Sequence, residues 1–211
     1  MTGGQGSLPD AIRGCRVCRD EPRFGAPLAH EPNPVCVMSQ TARIGICGQA
    51  PGIRVHRSGR PFTDPSGDRL RQWMGIDEAA FYDASRLAIV PMGFCFPGHD
   101  AKGGDLPPRR ECRATWHDAV FAAMPQLELV VAIGRYAQAY HLGAAARPTL
   151  TETVRAWRES FEAPSEAVRA GPRILPLPHP SWRNNAWIRR NPWFEAELLP
   201  VLRAEVRRLI V

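Results

Sequence analysis

Residues 43–68, RIGICGQAPGIRVHRSGRPFTDPSGD, constrain this chain more than any other stretch. The short apolar run 44–47 reads as a buried strand bounded by glycine. It enters Gly48-Gln49-Ala50-Pro51-Gly52, a loop whose glycines let the backbone turn sharply and come close to a ligand. A second turn, Ser58-Gly59-Arg60-Pro61, presents Phe62. Asp64-Pro65 then supplies a helix cap with proline at the first helical position, ahead of Leu70 and Trp73. Strand, glycine-rich loop, presented aromatic and helix start together describe a binding site at the carboxyl end of a strand, where open α/β sheets place their ligands.

The rest of the chain alternates in the same way. Strands are predicted at 43–47, 86–91, 127–133 and 173–177, and helices at 65–74, 109–124, 135–141, 150–161 and 192–209. Thr149 and Glu152 form a capping box for the fourth helix, with Val154, Trp157 and Phe161 on one face. Leu198, Leu202, Val206 and Leu209 recur at helical spacing in the last, which Pro200 should kink. Strands separated by helices imply a parallel sheet covered on both faces. The expected fold is a single α/β domain over 11–211, a three-layer α/β/α sandwich around a central, mainly parallel four-stranded sheet. Residues 1–10 are expected to be a disordered tail, 20–40 an extended proline-rich surface segment, and 162–172 a loop.

At 211 residues the chain suits one domain. It has no run near the ~18 apolar residues of a membrane helix and no signal-peptide pattern, so a cytoplasmic, bacterial address is expected. The net charge of +6 suits a polyanionic partner, although a GC-rich genome explains an arginine bias equally well. A monomer is the default.

Six cysteines in such a chain point to metal or packing before disulfides. Cys15 and Cys18 form a CxxC, and Cys95 and Cys112 are separated by sixteen residues. Two close thiolates plus two from elsewhere meet the needs of tetrahedral zinc or of a four-iron cluster, and spacing does not choose between them. Cys47 lies inside an apolar strand and reads as core. Cys36 has no partner at ligand spacing.

Downstream, Pro176-Leu177-Pro178-His179-Pro180-Ser181-Trp182-Arg183 follows the fourth strand. Prolines around one histidine hold the backbone, and a histidine on a rigid exposed loop suits function better than core packing. Between Arg183 and Trp193, arginines interleave with tryptophans, a pattern of nucleic-acid surfaces. A helix turning Trp187 and Trp193 inward explains the same pattern.

The segments Gly48–Gly52, Gly59-Arg60-Pro61-Phe62 and Ser66-Gly67-Asp68 resemble the first motif of the uracil-DNA glycosylase superfamily, in the form carried by its iron–sulfur branches, families four and five. Leu177-Pro178-His179-Pro180-Ser181 resembles its histidine motif. The likeness runs from Cys15 to about Arg190. It implies a monofunctional DNA glycosylase that flips uracil out of DNA and hydrolyses its N-glycosidic bond, initiating base excision repair. It also implies a 4Fe-4S cluster on Cys15, Cys18, Cys95 and Cys112, with an architectural role, in preference to zinc. By the same resemblance Gly48, Ala50, Pro51, Gly52, Phe62 and Pro91 surround the base, with Phe62 stacked on it. His179 meets the charge developing on the base, and Ser181, Trp182 and Arg183 enter the emptied stack. Only Lys102 and the amino terminus could form a Schiff base, which favours hydrolysis over lyase chemistry.

Two positions depart from the family pattern. Family four has glutamate where this chain has Gln49, so the acid is sought at Asp68 or Asp64, the latter equally suited to capping a helix; His56 is a further candidate. Family four also reads the uracil edge with an asparagine at the position of Pro91, which leaves preference open between uracil and bases such as hypoxanthine or xanthine. The rival readings are a metal-stabilised DNA-binding protein that keeps the pocket without the chemistry, and a zinc protein acting on nucleotides or RNA.

Overall fold

The computed structural model describes residues 6–162 and 171–210. Most of the loop expected over 162–172, and the first five residues of the expected tail, lie outside them. Four parallel strands form one sheet: β1 (Ile44–Cys47), β2 (Leu87–Ile89), β3 (Leu129–Ile133) and β4 (Arg173–Leu177), in spatial order β2-β1-β3-β4. All four match the sequence expectation to within two residues at every boundary. Buried parallel strands read as short continuous apolar runs, and these do.

Side-chain alternation along the strands separates two cores. One face carries Ile44, Ile46, Ile89, Val131 and Leu175 against the helices Pro65–Met74, Trp157–Phe161 and Leu199–Ile210. The other carries smaller residues, Cys47, Ala88 and Ala132, against Met92, Phe94 and Met124. Gly45 also points to this side, where an added Cβ would sit 3.3 Å from Leu127 Cδ1. Small strand residues here let the segment after β2 pack close to the sheet.

Both sheet edges are managed. Pro176, which cannot donate to a ladder, lies on the edge strand β4 opposite Ala132. The β2 edge is covered by Val37, which exchanges hydrogen bonds of 2.9 and 2.8 Å with Ile89.

Several helices differ from expectation. Leu8–Arg13 is helical, with Ser7 as its cap, so Leu8, Pro9 and Asp10 belong to structure and not to the expected tail. The predicted 109–124 helix begins at Arg110 and contains a π-helical turn, Arg113–His117. The last helix opens with a π turn, Phe194–Leu198, directly ahead of Pro200. Widening the turn there accommodates the missing proline N–H. Within the first motif, Ile53–Ser58 forms a helix where a loop was expected, ending on Gly59 in the left-handed region at φ 68°.

His117 is fully buried between Phe94, Phe121 and Tyr140, and burial lowers its pKa to about 4. His141 beside it is lowered to about 4 as well, first by burial and then by His117. The unfolded chain therefore accepts protons near pH 6.5 that the folded chain refuses until about pH 4. Stability should be fully present above pH 6.5 and fall as pH drops through that window. Melting temperature measured across it should decline steadily, and His141→Gln should flatten the decline.

Candidate active site

The first motif leaves β1 at its carboxyl end and is stitched to the extension of β2. Met92 N–H donates to the Gly48 carbonyl at 2.8 Å, and Gly93 N–H to the Gln49 carbonyl at 2.9 Å. Pro91 is buried beside this seam and offers no side-chain donor. The Gln49 side chain is already engaged, since its Nε2 donates to the Leu106 carbonyl at 3.0 Å. That contact draws in the loop between Phe96 and Arg110, which is better formed than its composition suggests. His99 and Asp105 make an antiparallel bridge, and Asp100 accepts from Lys102 N–H and Gly104 N–H at 2.8 and 2.9 Å. The hairpin so formed places Asp105 against the first motif, with Oδ2 3.6 Å from where a Cβ on Gly52 would stand.

Phe62 is held in an unusual way. Its φ is 55°, and among the described residues it is the one non-glycine at positive φ. A bulky side chain there carries a strain of order 1–3 kcal/mol, and such strain collects at ligand clamps. Two contacts enforce it. The Tyr82 hydroxyl lies 2.8 Å from the Pro61 carbonyl and 3.0 Å from the Phe62 carbonyl, donating across both. Gly67 closes over the same carbonyl, where an added Cβ would fall 1.9 Å from the Phe62 oxygen. The half-buried Phe62 ring stands edge-on to Phe81 at 5.8 Å, which positions it from one side.

The helix Pro65–Met74 begins immediately afterwards, and Asp64 caps it. One carboxylate oxygen, Oδ1, accepts from Ser66 N–H, Ser66 Oγ and Gly67 N–H. Asp68 turns outward, 74% exposed and 2.5 Å from Arg71, and is not brought to the site. From the same helix Arg69 donates to the Ser181 carbonyl at 3.0 Å, which docks the histidine loop beside Asp64.

His179 follows β4. Its carbonyl accepts from Asn184 Nδ2 at 2.7 Å, and its Nδ1 accepts from Ser181 N–H at 3.2 Å. With Nδ1 used as an acceptor, the neutral ring carries its proton on Nε2 and offers it as a donor. The ring reaches solvent on one side, yet the surrounding protein lowers its pKa, chiefly by burial. Asp64 and Asp105 act in the opposite direction. Asp64 and Asp105 are thus each within electrostatic reach of His179. Trp182 projects from the loop, 72% exposed, with the Arg183 guanidinium 6.0 Å from its ring centre. Trp187 and Trp193 turn inward and pack on Phe194, while Arg189 and Arg190 stay exposed.

The other motif histidine is placed differently. His56 packs edge-on to His30 at 4.8 Å and near Phe96, and burial lowers its pKa.

Cys15, Cys18, Cys95 and Cys112 line one cavity with Pro32, Pro34, Phe94 and Trp116. Trp116 Nε1 donates to Cys15 Sγ, and Phe94 N–H to Cys112 Sγ, each at 3.3 Å. Cys18 is pulled down, first by its hydrogen bond with Cys112, which is pushed up by the same contact; burial raises Cys95 to about 12. Among the described residues no three His, Cys, Asp or Glu side chains are gathered closely enough to hold a single metal ion. Cys36 and Cys47 lie away from this cavity, their thiols pushed up by burial. The N-terminal segment is also tied down without sulfur. Arg109 pairs with the buried Glu111 at 2.7 Å and donates to the Ala26 carbonyl, and Phe24 N–H donates to Glu111.

Asp105, Tyr82 and Arg69 were not singled out from sequence. Gly-Gly-Asp followed by Leu-Pro-Pro reads as loop punctuation, and nothing local links it to Gly52.

Among the described residues no helix is long and apolar enough to cross a membrane. Among solved structures, the chain is similar to the solution NMR structure of a candidate uracil DNA glycosylase from Methanosarcina acetivorans, at 14% identity and a TM-score of 0.47, over 80% of this chain and 94% of that one. Residues 37–203, well over half of the chain, match the profile of the Uracil DNA glycosylase superfamily, and the chain belongs to that family.

Proposed function

We propose that the protein is a monofunctional uracil-DNA glycosylase that hydrolyses the N-glycosidic bond of a flipped uracil. The observation that carries this reading is the orientation of His179. A neutral ring with Nδ1 occupied keeps its proton on Nε2, as a donor to a developing anion needs, and Asp64 and Asp105 lie near enough to act on its charge. In this reading Trp182 fills the stack that the base vacates, and Phe62 takes the ring of the extruded base on its free face. Cleavage sends the C1′–N1 electron pair onto the base, where Nε2–H of His179 and backbone N–H groups of the first motif stabilise it. Stabilisation of this kind is usually the largest catalytic contribution.

Cys15, Cys18, Cys95 and Cys112 would hold a 4Fe-4S cluster. The donor set fits: four thiols converge from the N-terminal segment and the loop after β2, and two N–H groups already donate to sulfur. Zinc takes the same four thiolates, at about 2.3 Å from one centre, and the cluster is preferred here on the resemblance of the motifs. The cluster's contribution would be a structural tie. Purified protein should be brown, absorbing near ~400 nm, and Cys15→Ser should be colourless with a lowered melting temperature. A colourless wild type carrying stoichiometric zinc would contradict the assignment.

A second reading has its own observations: Gln49 is engaged with Leu106 and Pro91 offers no donor, as in a DNA binder that has lost its chemistry. The test is incubation with duplex oligonucleotides carrying uracil, hypoxanthine or xanthine, followed by alkali. Strand breaks at uracil support the proposal, breaks only at the purines redirect the specificity, and intact strands with tight binding favour the binder.

A further inference from the structure

The glycosylase reading leaves the attacking water without an evident base. Gln49 is an amide, and its one pair of donors is turned to Leu106. Asp68 faces solvent in an ion pair with Arg71. Asp64 spends Oδ1 on three donors at the start of a helix, where a negative charge is already favoured by the helix itself.

Asp105 differs on each count. It reaches the first motif from the hairpin that Gln49 holds. Its Oδ2 faces Gly52, and the neighbouring residue on its own hairpin, Leu106, is what Gln49 holds. Among the described residues no backbone N–H or arginine donates to its carboxylate. Its partner is His99, with Nδ1 3.2 Å from Oδ1, which leaves Oδ2 open on the Gly52 side. The side chain is 45% exposed, so water reaches it. The hairpin bridge between His99 and Asp105, the Leu106 N–H to Gly98 carbonyl bond of 2.9 Å and the Asp100 turn hold it in place.

We infer that Asp105, presented by the hairpin after the third cysteine and resting on the proposed glycosylase function, is the carboxylate that orients and deprotonates the attacking water. As the C1′–N1 bond breaks, its electron pair leaves on the base. The water oxygen bonds to C1′, and the proton it loses passes to Asp105 Oδ2 and then, through solvent, to the departing base anion. The products are an abasic sugar hydroxyl and the free base, with no further reactant. His99 is the positioning residue, holding Oδ1 so that Oδ2 faces the sugar. Gln49 acts by fixing the hairpin against the first motif, which turns the departure from an acid at this position into a structural role.

The test is single-turnover cleavage of a uracil duplex at saturating enzyme, with affinity measured separately on a duplex whose uridine is made uncleavable by 2′-fluorination. Asp105→Asn should slow cleavage by about 100-fold or more, within the range of general-base losses, and leave affinity within about threefold. Added formate should restore part of the rate in Asp105→Ala and none in the His179→Ala variant, an outcome that a merely structural role would not produce. Asp105→Asn cleaving within threefold of wild type, or losing affinity while its single-turnover rate holds, overturns this assignment and leaves the glycosylase reading intact. A wild type that leaves every damaged oligonucleotide whole overturns both.

Discussion

His179→Ala is expected to lower the single-turnover rate on a uracil duplex by about 100-fold or more, in line with the removal of one preorganised donor to a developing oxyanion. Affinity for the uncleaved duplex should stay within a few-fold, because the donor matters most once charge has moved onto the base. The loop should survive the change. Asn184 holds the residue 179 carbonyl and Arg69 holds the Ser181 carbonyl, and neither contact involves the imidazole. What is lost besides Nε2–H is the acceptor for Ser181 N–H, which faces solvent nearby. His179→Gln should recover part of the rate, since an amide supplies a donor of similar reach. The wild-type rate should hold through neutral pH, because the lowered pKa keeps the ring uncharged there, and any change from protonation of His179 should appear below about pH 6.5. Rates of His179→Ala and wild type within threefold would remove His179 from the chemistry.

Gly67→Ala should cost nearly as much, for a steric reason. The methyl would lie 1.9 Å from the Phe62 carbonyl oxygen, and both atoms belong to backbone-fixed positions. Gly67 is anchored in the first turn of its helix by Asp64, through a 2.8 Å bond to the carbonyl and a 3.4 Å bond to the carboxylate. The Phe62 carbonyl is anchored by Tyr82. One of the two must move, and relaxing Phe62 out of the left-handed region turns its ring away. Stacking of an aromatic on a base is worth about 1–3 kcal/mol, so activity should fall by roughly 10- to 100-fold, with a loss of about 1–3 kcal/mol in stability from overpacking. In a double-mutant cycle Gly67→Ala and Phe62→Ala should combine to well below the sum of their separate effects, because both remove the same ring. Full additivity would place the damage elsewhere.

The sheet was legible because its strands are short, mostly apolar runs between turn signals, and the gathering of Cys15, Cys18, Cys95 and Cys112 around one cavity because their spacing is chemical and not conformational. Phe62 was legible as a presented aromatic but not as a strained one. Nothing in a phenylalanine asks for positive φ; Tyr82, twenty residues later, and Gly67 impose it. The helix Ile53–Ser58 hid in the motif because Arg54, His56 and Arg57 leave it no continuous apolar face to read. Pro200 announced a disturbance, but nothing in the sequence specified the π turn that precedes it. Asp105 was invisible for a different reason. Gly52 and His179 lie 53 and 74 residues away in the chain, and the hairpin's docking on Gln49 is what brings Asp105 to them.

The most direct measurement separates the released base from the remaining strand. A uracil duplex incubated with the protein should yield free uracil by chromatography, one equivalent for each abasic site, while the sugar–phosphate backbone stays unbroken until alkali is added. Free uracil absent from an equimolar mixture, with the duplex bound and whole, would contradict the hydrolytic account built on His179.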